Sequence, residues 1–216
     1  ASAAFVADGV QSRLIGVTEQ LIGRTALGAL GFTWCGNMLP VDVPSEQRCV
    51  LWDKIAEMAS RLTRRFGLTG VNGIDVIITR GEHGDPLPIL VEVNPRYTAS
   101  MELIERARDL PIAALHIEAV RHGVPTELTA EPLGAHAGFY GKAIVYARSA
   151  VVIPETSGWM ERDRRDVPYP GERIKAGHPV CTVFAKGEGW EDCWQGLLDA
   201  ARTVRREIGD QMGGRS

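Results

Sequence analysis

The sequence predicts a mixed α/β chain of the α+β kind, an antiparallel sheet with flanking helices. Three observations carry that expectation. Residues 2–7 (SAAFVA) and 13–18 (RLIGVT) are apolar strand-like runs on either side of a turn at Asp8-Gly9, which reads as a hairpin. Two further strands, at about 74–79 and 87–93, flank the polar loop 81–86. Between these pairs, Leu51, Ile55, Met58 and Leu62 recur near helical spacing, with Lys54, Arg61, Arg64 and Arg65 among the polar positions.

The remaining elements follow from local punctuation. Residues 20–40 are glycine-rich and contain GFTWCGNMLP, read as a strand with irregular loops. Pro44-Ser45 marks a helix start with Ser45 as candidate cap, and Gly67 stops that helix. Ser100 is a candidate cap for a helix carrying 101–107, and Pro111 opens another that ends near Gly123. A proline-containing connection at 124–134 separates residues 1–123 from a β-rich C-terminal subdomain at 135–212. That subdomain holds the strands GFYGKAIVYA and PVCTVFAKG and a last amphipathic helix at 190–208, with a frayed GGRS tail.

Composition excludes several classes. With 216 residues, 44% hydrophobic and 24% charged, the chain is long enough for a packed core and ordinary for a globular protein. The net charge of −3 offers no electrostatic basis for binding nucleic acid or an anionic membrane. No apolar run approaches the roughly 20 residues that span a bilayer. The four cysteines form no CxxC pair, which argues against a zinc site or disulfide framework and for a cytoplasmic protein. The chain enters directly on a strand at Ala1, so it is expected to be the C-terminal part of something longer.

The second strand pair carries the chemistry. An antiparallel hairpin centred between His83 and Gly84 sets Asp75 opposite Glu92. Side chains alternate along a strand, so Asp75, Ile77 and Thr79 share a face with Leu90, Glu92 and Asn94. The other face carries Ile74, Val76, Ile78, Val91 and Val93, an aliphatic surface for helices. Taken singly, an Asp and a Glu near strand ends are solvated surface groups. Together they form an acidic cluster that needs a cation or basic group to relieve its repulsion. Two carboxylates and an amide oxygen are hard ligands suited to magnesium or manganese and poor for zinc. Arg96, two residues past Asn94, offers a planar fork to a phosphate or acyl phosphate, and Pro95 marks the strand end.

The run LVEVNPRYTASMELIERA (90–107) resembles the strand of the ATP-grasp superfamily that carries Glu-x-Asn magnesium ligands and a following arginine. GVNGIDVII resembles that family's preceding strand with its other metal-binding acid. SAAFVADGVQSRLIGVTEQLIG and GFTWCGNMLP are similar to the strand pair after its nucleotide-binding hinge and the following link. GKAIVYA and DVPYPGERIKAGHPVCTVFA resemble the extra C-terminal domain of ligases related to biotin carboxylase. The resemblance implies that 1–123 is the C-terminal part of an ATP-grasp catalytic domain. It implies an ADP-forming ligase that uses ATP and Mg2+ or Mn2+ to join a small carboxylate to an amine through an acyl phosphate. It further implies Asp75, Glu92 and Asn94 as metal ligands, Arg96 as the catalytic stabiliser of the acyl phosphate, and Thr98 and Ser100 as contacts to the second substrate. A role in cofactor biosynthesis and a homodimer are compatible with it.

Two alternatives stay open. An ATP-dependent carboxylase of the biotin carboxylase type is disfavoured by a serine at position 100, where carboxylase relatives can carry an acid. A non-catalytic nucleotide- or partner-binding module would fit a chain naturally this short, because the family's adenine pocket, glycine loop and ATP-binding lysines lie upstream of Ala1. An isolated chain of this extent is expected to have little or no activity. Elsewhere, His83 reads as a solvated loop residue, Lys142 as an outward-facing strand lysine, and 162–166 (RDRRD) as a solvated charged loop. Lys175 does not sit in the tight hairpin a lipoyl-type barrel requires. The five tryptophans, Trp34, Trp52, Trp159, Trp190 and Trp194, show no spacing for base stacking and are expected in the core or at a cleft edge.

Overall fold

A computed structural model describes residues 1–82, 84–128 and 138–210. The strands are β1 (Ser2–Asp8), β2 (Ser12–Ile22), β3 (Trp34–Leu39), β4 (Thr69–Arg80), β5 (Pro86–Asn94), β6 (Phe139–Tyr146), β7 (Val151–Val152), β8 (Arg173–Ile174) and β9 (Pro179–Gly187). The helices are α1 (Ser45–Phe66), α2 (Met101–Arg108), α3 (Ile112–His122) and α4 (Trp190–Glu207). The chain divides into two compact units. The first takes the described residues of Ala1–Glu19 and Leu39–Ala137, the second those of Gln20–Met38 and Gly138–Ser216. The excursion 20–38 therefore packs with the C-terminal segment. The expected GGRS tail, His83 and part of the 124–134 connection lie outside the described residues.

In the first unit the sheet order is β5-β4-β1-β2, all antiparallel. β1 is buried along nearly its whole length, as SAAFVA requires of a strand with neighbours at both edges. The turn after it is held by Asp8, whose Oδ1 accepts from Val10 N (3.0 Å) and Gln11 N (2.7 Å). Oδ2 accepts from Val124 N at 3.1 Å, which ties the end of α3 to the hairpin. These amide donors, Gln11 foremost, hold the Asp8 carboxyl below its ordinary range. α1 lays Leu51, Ile55 and Ala59 against Phe5, Ile74 and Val76, and Gly67 ends it in the left-handed conformation. Ser45 does not cap this helix: Pro44 holds the cap position, and the Ser45 hydroxyl faces Glu46 at 3.3 Å. The proline has already fixed the chain's entry, so the serine falls inside the first turn.

In the second unit β6 lies between β3 and β9, with β6 and β9 paired from Phe139↔Gly187 to Tyr146↔Pro179. α4 presents Cys193, Leu197, Ala201 and Val204 to a core that includes Met38, Val145, Val183 and Trp159. Burial pushes the Cys181 and Cys193 thiols up to about 12, so both behave as apolar filler.

Two expectations for this unit fail. Lys142 is not outward-facing but only 6% exposed, because β6 is an interior strand with Phe184 opposite Lys142 in the ladder. On its other side, Gly36 approaches so closely that a Cβ there would lie 2.0 Å from the Lys142 carbonyl. The charged run 162–166 is not simply a solvated loop either. Arg164 is 5% exposed, stacks over Trp159 at 4.5 Å and makes two bonds to Glu207, at 2.5 and 3.0 Å. Asp166 accepts from the Thr182 hydroxyl at 2.6 Å. Arg162, Asp163 and Arg165 stay at the surface.

The Arg164 hydrogen bond holds the Glu207 carboxyl below its ordinary value of 4.5. A depressed carboxyl contributes stability above its unfolded pKa, and that contribution fades as pH falls through the folded value. Glu207→Gln should therefore lower stability at neutral pH and flatten the loss of stability below about pH 4.5. Urea midpoints measured from pH 7 to pH 3 test this; parallel curves for variant and wild type would remove the pair from the stability profile.

Candidate metal and phosphate site

β4 and β5 pair with Gly73↔Asn94, Ile74↔Val93 and Asp75↔Glu92, the register expected from the sequence. Residues directly opposite in an antiparallel pair share a face, so the two carboxylates project to one side. Ile74 and Val76 turn to the other side, into the α1 core. Asn94 joins the carboxylates: its Nδ2 donates to Asp75 Oδ2 at 3.3 Å. Its Oδ1 accepts from Arg96 Nη2 at 3.1 Å. Only this orientation of the amide makes both contacts attractive. Arg96 is fixed further by a bond from Nη1 to the Tyr97 carbonyl at 3.2 Å.

The expected alternation breaks beyond Asp75. A bulge between Asp75 and Val76 pairs Val76 with Leu90 and leaves Val91 without a ladder partner. Leu90 thus leaves the face of Glu92 and Asn94 and lines a groove with the α1 residues Met58 and Leu62. Val91, expected in the packing surface, is instead 60% exposed. The bulge confines the oxygen cluster to the end of the hairpin where Asp75, Glu92 and Asn94 meet.

A residue not singled out from the sequence completes the support. Ser2 faces Asp75 across the β1–β4 ladder, and its hydroxyl donates a short hydrogen bond to Asp75 Oδ1. Asp75 is thereby oriented through both oxygens while Glu92 stays exposed. The only signal in the sequence is the polar residue that opens SAAFVA; its partner lies on a strand far away in the chain.

The segment past Arg96 is also tied down. Tyr97 donates to Glu105 Oε2 at 3.3 Å, and burial, then Glu105, raises the tyrosine's pKa. Glu105 Oε1 accepts from Ile112 N at 3.1 Å, anchoring the start of α3. Thr98 and Ser100 come together with their hydroxyls 3.1 Å apart. Ser100 occupies the cap position of α2 but makes no capping bond with its side chain, so its hydroxyl belongs to the Thr98 pair. The structure thus brings Asp75, Glu92, Asn94 and Arg96 into one array and sets Thr98 against that array's backbone at Gly73.

The donor set fits a hard divalent ion: two carboxylates plus an amide oxygen with a second lone pair beyond the one Arg96 uses. Among the described residues no three His, Cys, Asp or Glu side chains cluster as a self-sufficient metal cage.

Residues 1–100 match the sequence model of the ATP-grasp domain. This segment belongs to the ATP-grasp family. The fold agrees over nearly the whole chain. An L-amino acid ligase from Bacillus licheniformis aligns with TM-score 0.64 and 12% identity, covering 95% of this chain and 50% of that one. Phosphoribosylamine–glycine ligase from Thermotoga maritima aligns at 0.61 and 18%, covering 95% and 51%. The urea carboxylase of Kluyveromyces lactis aligns at 0.63 and 15%, covering 94% and 18%. At these identities the ATP-grasp fold is what is shared. The chain spans about half or less of the length of these solved proteins. No curated protein sequence matches it. Among the described residues no helix is long and apolar enough to cross a membrane.

A Cβ on Gly73 would lie 2.6 Å from Thr98 Cγ2. Gly73→Ala should therefore destabilise the protein by about 1–3 kcal/mol through overpacking. Adding Thr98→Ser, which deletes that methyl, should restore at least half of the loss. Urea unfolding of the three variants checks this, and additive losses would mean that Thr98 does not rest on Gly73.

Proposed function

We propose that this chain supplies the metal- and phosphate-handling part of an ATP-dependent, ADP-forming ligase that joins a carboxylate to an amine. The observation that carries the reading is the convergence of Asp75, Glu92 and Asn94 on one face, with Arg96 linked to them through Asn94. The family match and the likeness to an amino acid ligase and a phosphoribosylamine–glycine ligase support it.

In this reading a substrate carboxylate oxygen attacks the γ-phosphorus of ATP and ADP leaves. The amine nitrogen then attacks the acyl carbon, phosphate leaves with the C–O electron pair, and the nitrogen loses a proton. Asp75, Glu92 and Asn94 would hold Mg2+ or Mn2+, which would screen charge on the transferring phosphoryl group. Ser2 keeps Asp75 turned toward the shared spot and leaves one oxygen directed at Asn94. Arg96 exchanges its bond to the Asn94 amide for the equatorial oxygens of the phosphoryl group, an in-plane fork suited to them. Because that guanidinium is already docked beside the cluster, little reorganisation accompanies the exchange. Thr98 and Ser100 offer uncharged hydroxyls to the second substrate.

Carboxylation is the nearest competitor, given the likeness to urea carboxylase. The Thr98–Ser100 hydroxyl pair favours ligation, since it puts a neutral pair, of which Ser100 is buried, where carboxylases of this family can carry an acid.

Glu92→Gln in the full-length protein should reduce Mg2+-dependent ADP release by roughly 10³-fold, the scale on which removal of one preorganised electrostatic group acts. Glu92 is exposed, so the fold should keep its stability within about 0.5 kcal/mol. Coupled ADP assays over a panel of acids and amines, with bicarbonate as a separate arm, read the outcome. Unchanged turnover would remove Glu92 from the mechanism, and stimulation by bicarbonate alone would favour the carboxylase.

A further inference from the structure

The second unit holds a group of guanidinium side chains that the ligase reading does not use. Arg148, Arg202, Arg205 and Arg206 line a cavity of about 500 Å³, together with Asp210, Leu198 and Ala26. On α4, Leu198, Arg202, Arg205 and Arg206 recur at spacings of four, three and one, so the helix turns three arginines toward one surface.

Arg205 is the informative member. Its side chain is 6% exposed, and Nη1 donates to the Ala26 carbonyl at 2.8 Å. Its Nε and Nη2 are buried and find no hydrogen-bond acceptor among the described residues. Arg148 Nη2 reaches the same Ala26 carbonyl at 3.5 Å, which brings a second cation close. Burial lowers the pKa of Arg205 to about 10; Arg148 pushes in the same direction and Asp210 opposes it.

The one carboxylate lining the cavity relieves this only in part, because its hydrogen bonds go elsewhere. Asp210 Oδ2 accepts from Arg148 N at 2.8 Å, and Oδ1 accepts from Ser149 N at 3.1 Å and Ser149 Oγ at 2.8 Å. Asp210 thus ends the chain's last described turn by binding backbone rather than a guanidinium. Arg202 is paired with the exposed Asp199, outside the cavity lining. With Arg202 paired to Asp199, the other three cations share one carboxylate already engaged elsewhere. A buried guanidinium with donors unmet is costly unless an anion completes it.

We propose that this cavity binds a phosphoryl dianion, either free phosphate or the phosphate of a small phosphomonoester. A dianion answers this excess of positive charge better than a single carboxylate. Its several oxygens match the planar forks of arginine. Leu198 and Ala26 supply an apolar wall for a short organic group. The inference stands independently of the ligase reading, since it involves none of Asp75, Glu92, Asn94 or Arg96.

The test is calorimetric titration of the full-length protein with inorganic phosphate and, separately, glycerol phosphate, at fixed ionic strength. Saturable binding of at least one probe is expected. The double variant Arg202→Ala/Arg206→Ala should weaken that binding by roughly tenfold or more, the effect of losing one or two charge-assisted bonds. Both arginines are exposed, so the unliganded melting temperature should not move. Arg96→Ala should leave the isotherm unchanged, which separates this cavity from phosphate held at the ligase site. Tighter glycerol phosphate identifies a phosphomonoester site, and tighter phosphate a free-anion site. Absence of saturable binding by either probe overturns the proposal. So does binding that survives the double variant or disappears with Arg96→Ala.

Discussion

Two carboxylates placed directly across an antiparallel ladder repel each other, and a hairpin has no reason of its own to keep them there. In this protein the repulsion is managed by groups brought from two strands and the segment that follows one of them. β1 contributes the Ser2 hydroxyl, β5 contributes the Asn94 amide, and the chain just past β5 contributes Arg96, which reaches the acids through that amide. The arrangement satisfies Asp75 more fully than Glu92. One acid is held by its neighbours and the other left exposed.

The sheet makes this possible by segregating chemistry across its two faces. Ile74 and Val76 bind the strand to α1, so the backbone under Asp75 cannot shift without disturbing the core. Segments after the strand are fastened in the same way, through Tyr97, Glu105 and the start of α3. Position at the site is inherited from packing elsewhere in the unit.

How much of this was legible in the sequence depended on the range of the interaction. The pairing of Asp75 with Glu92 was readable because both strands and their loop are contiguous, and alternation then fixes the face. The bulge was not, since Leu90 and Val91 are both apolar and neither glycine nor proline marks it. Ser2 was missed because its partner lies on a strand distant in the chain. In the second unit, the local pattern marks Lys142 and Arg164 as surface groups. Each is buried through residues that the local pattern does not reveal: the β3 and β9 neighbours of Lys142, and Trp159 and Glu207 around Arg164. The serines at the starts of the two helices illustrate the reverse case, where a sound local rule is overridden by Pro44 at one helix and by the Thr98 hydroxyl at the other.

The bulge beside Asp75 has an evolutionary consequence. Because the ladder changes step there, the outer half of the hairpin is geometrically uncoupled from the inner half. Insertions or deletions around Gly81 and Asp85 would re-pair the distal residues without rotating the acids away from each other. Descendants of this sequence are free to vary the length of that tip, and with it whatever the tip touches, while inheriting an unchanged pairing of Asp75 with Glu92.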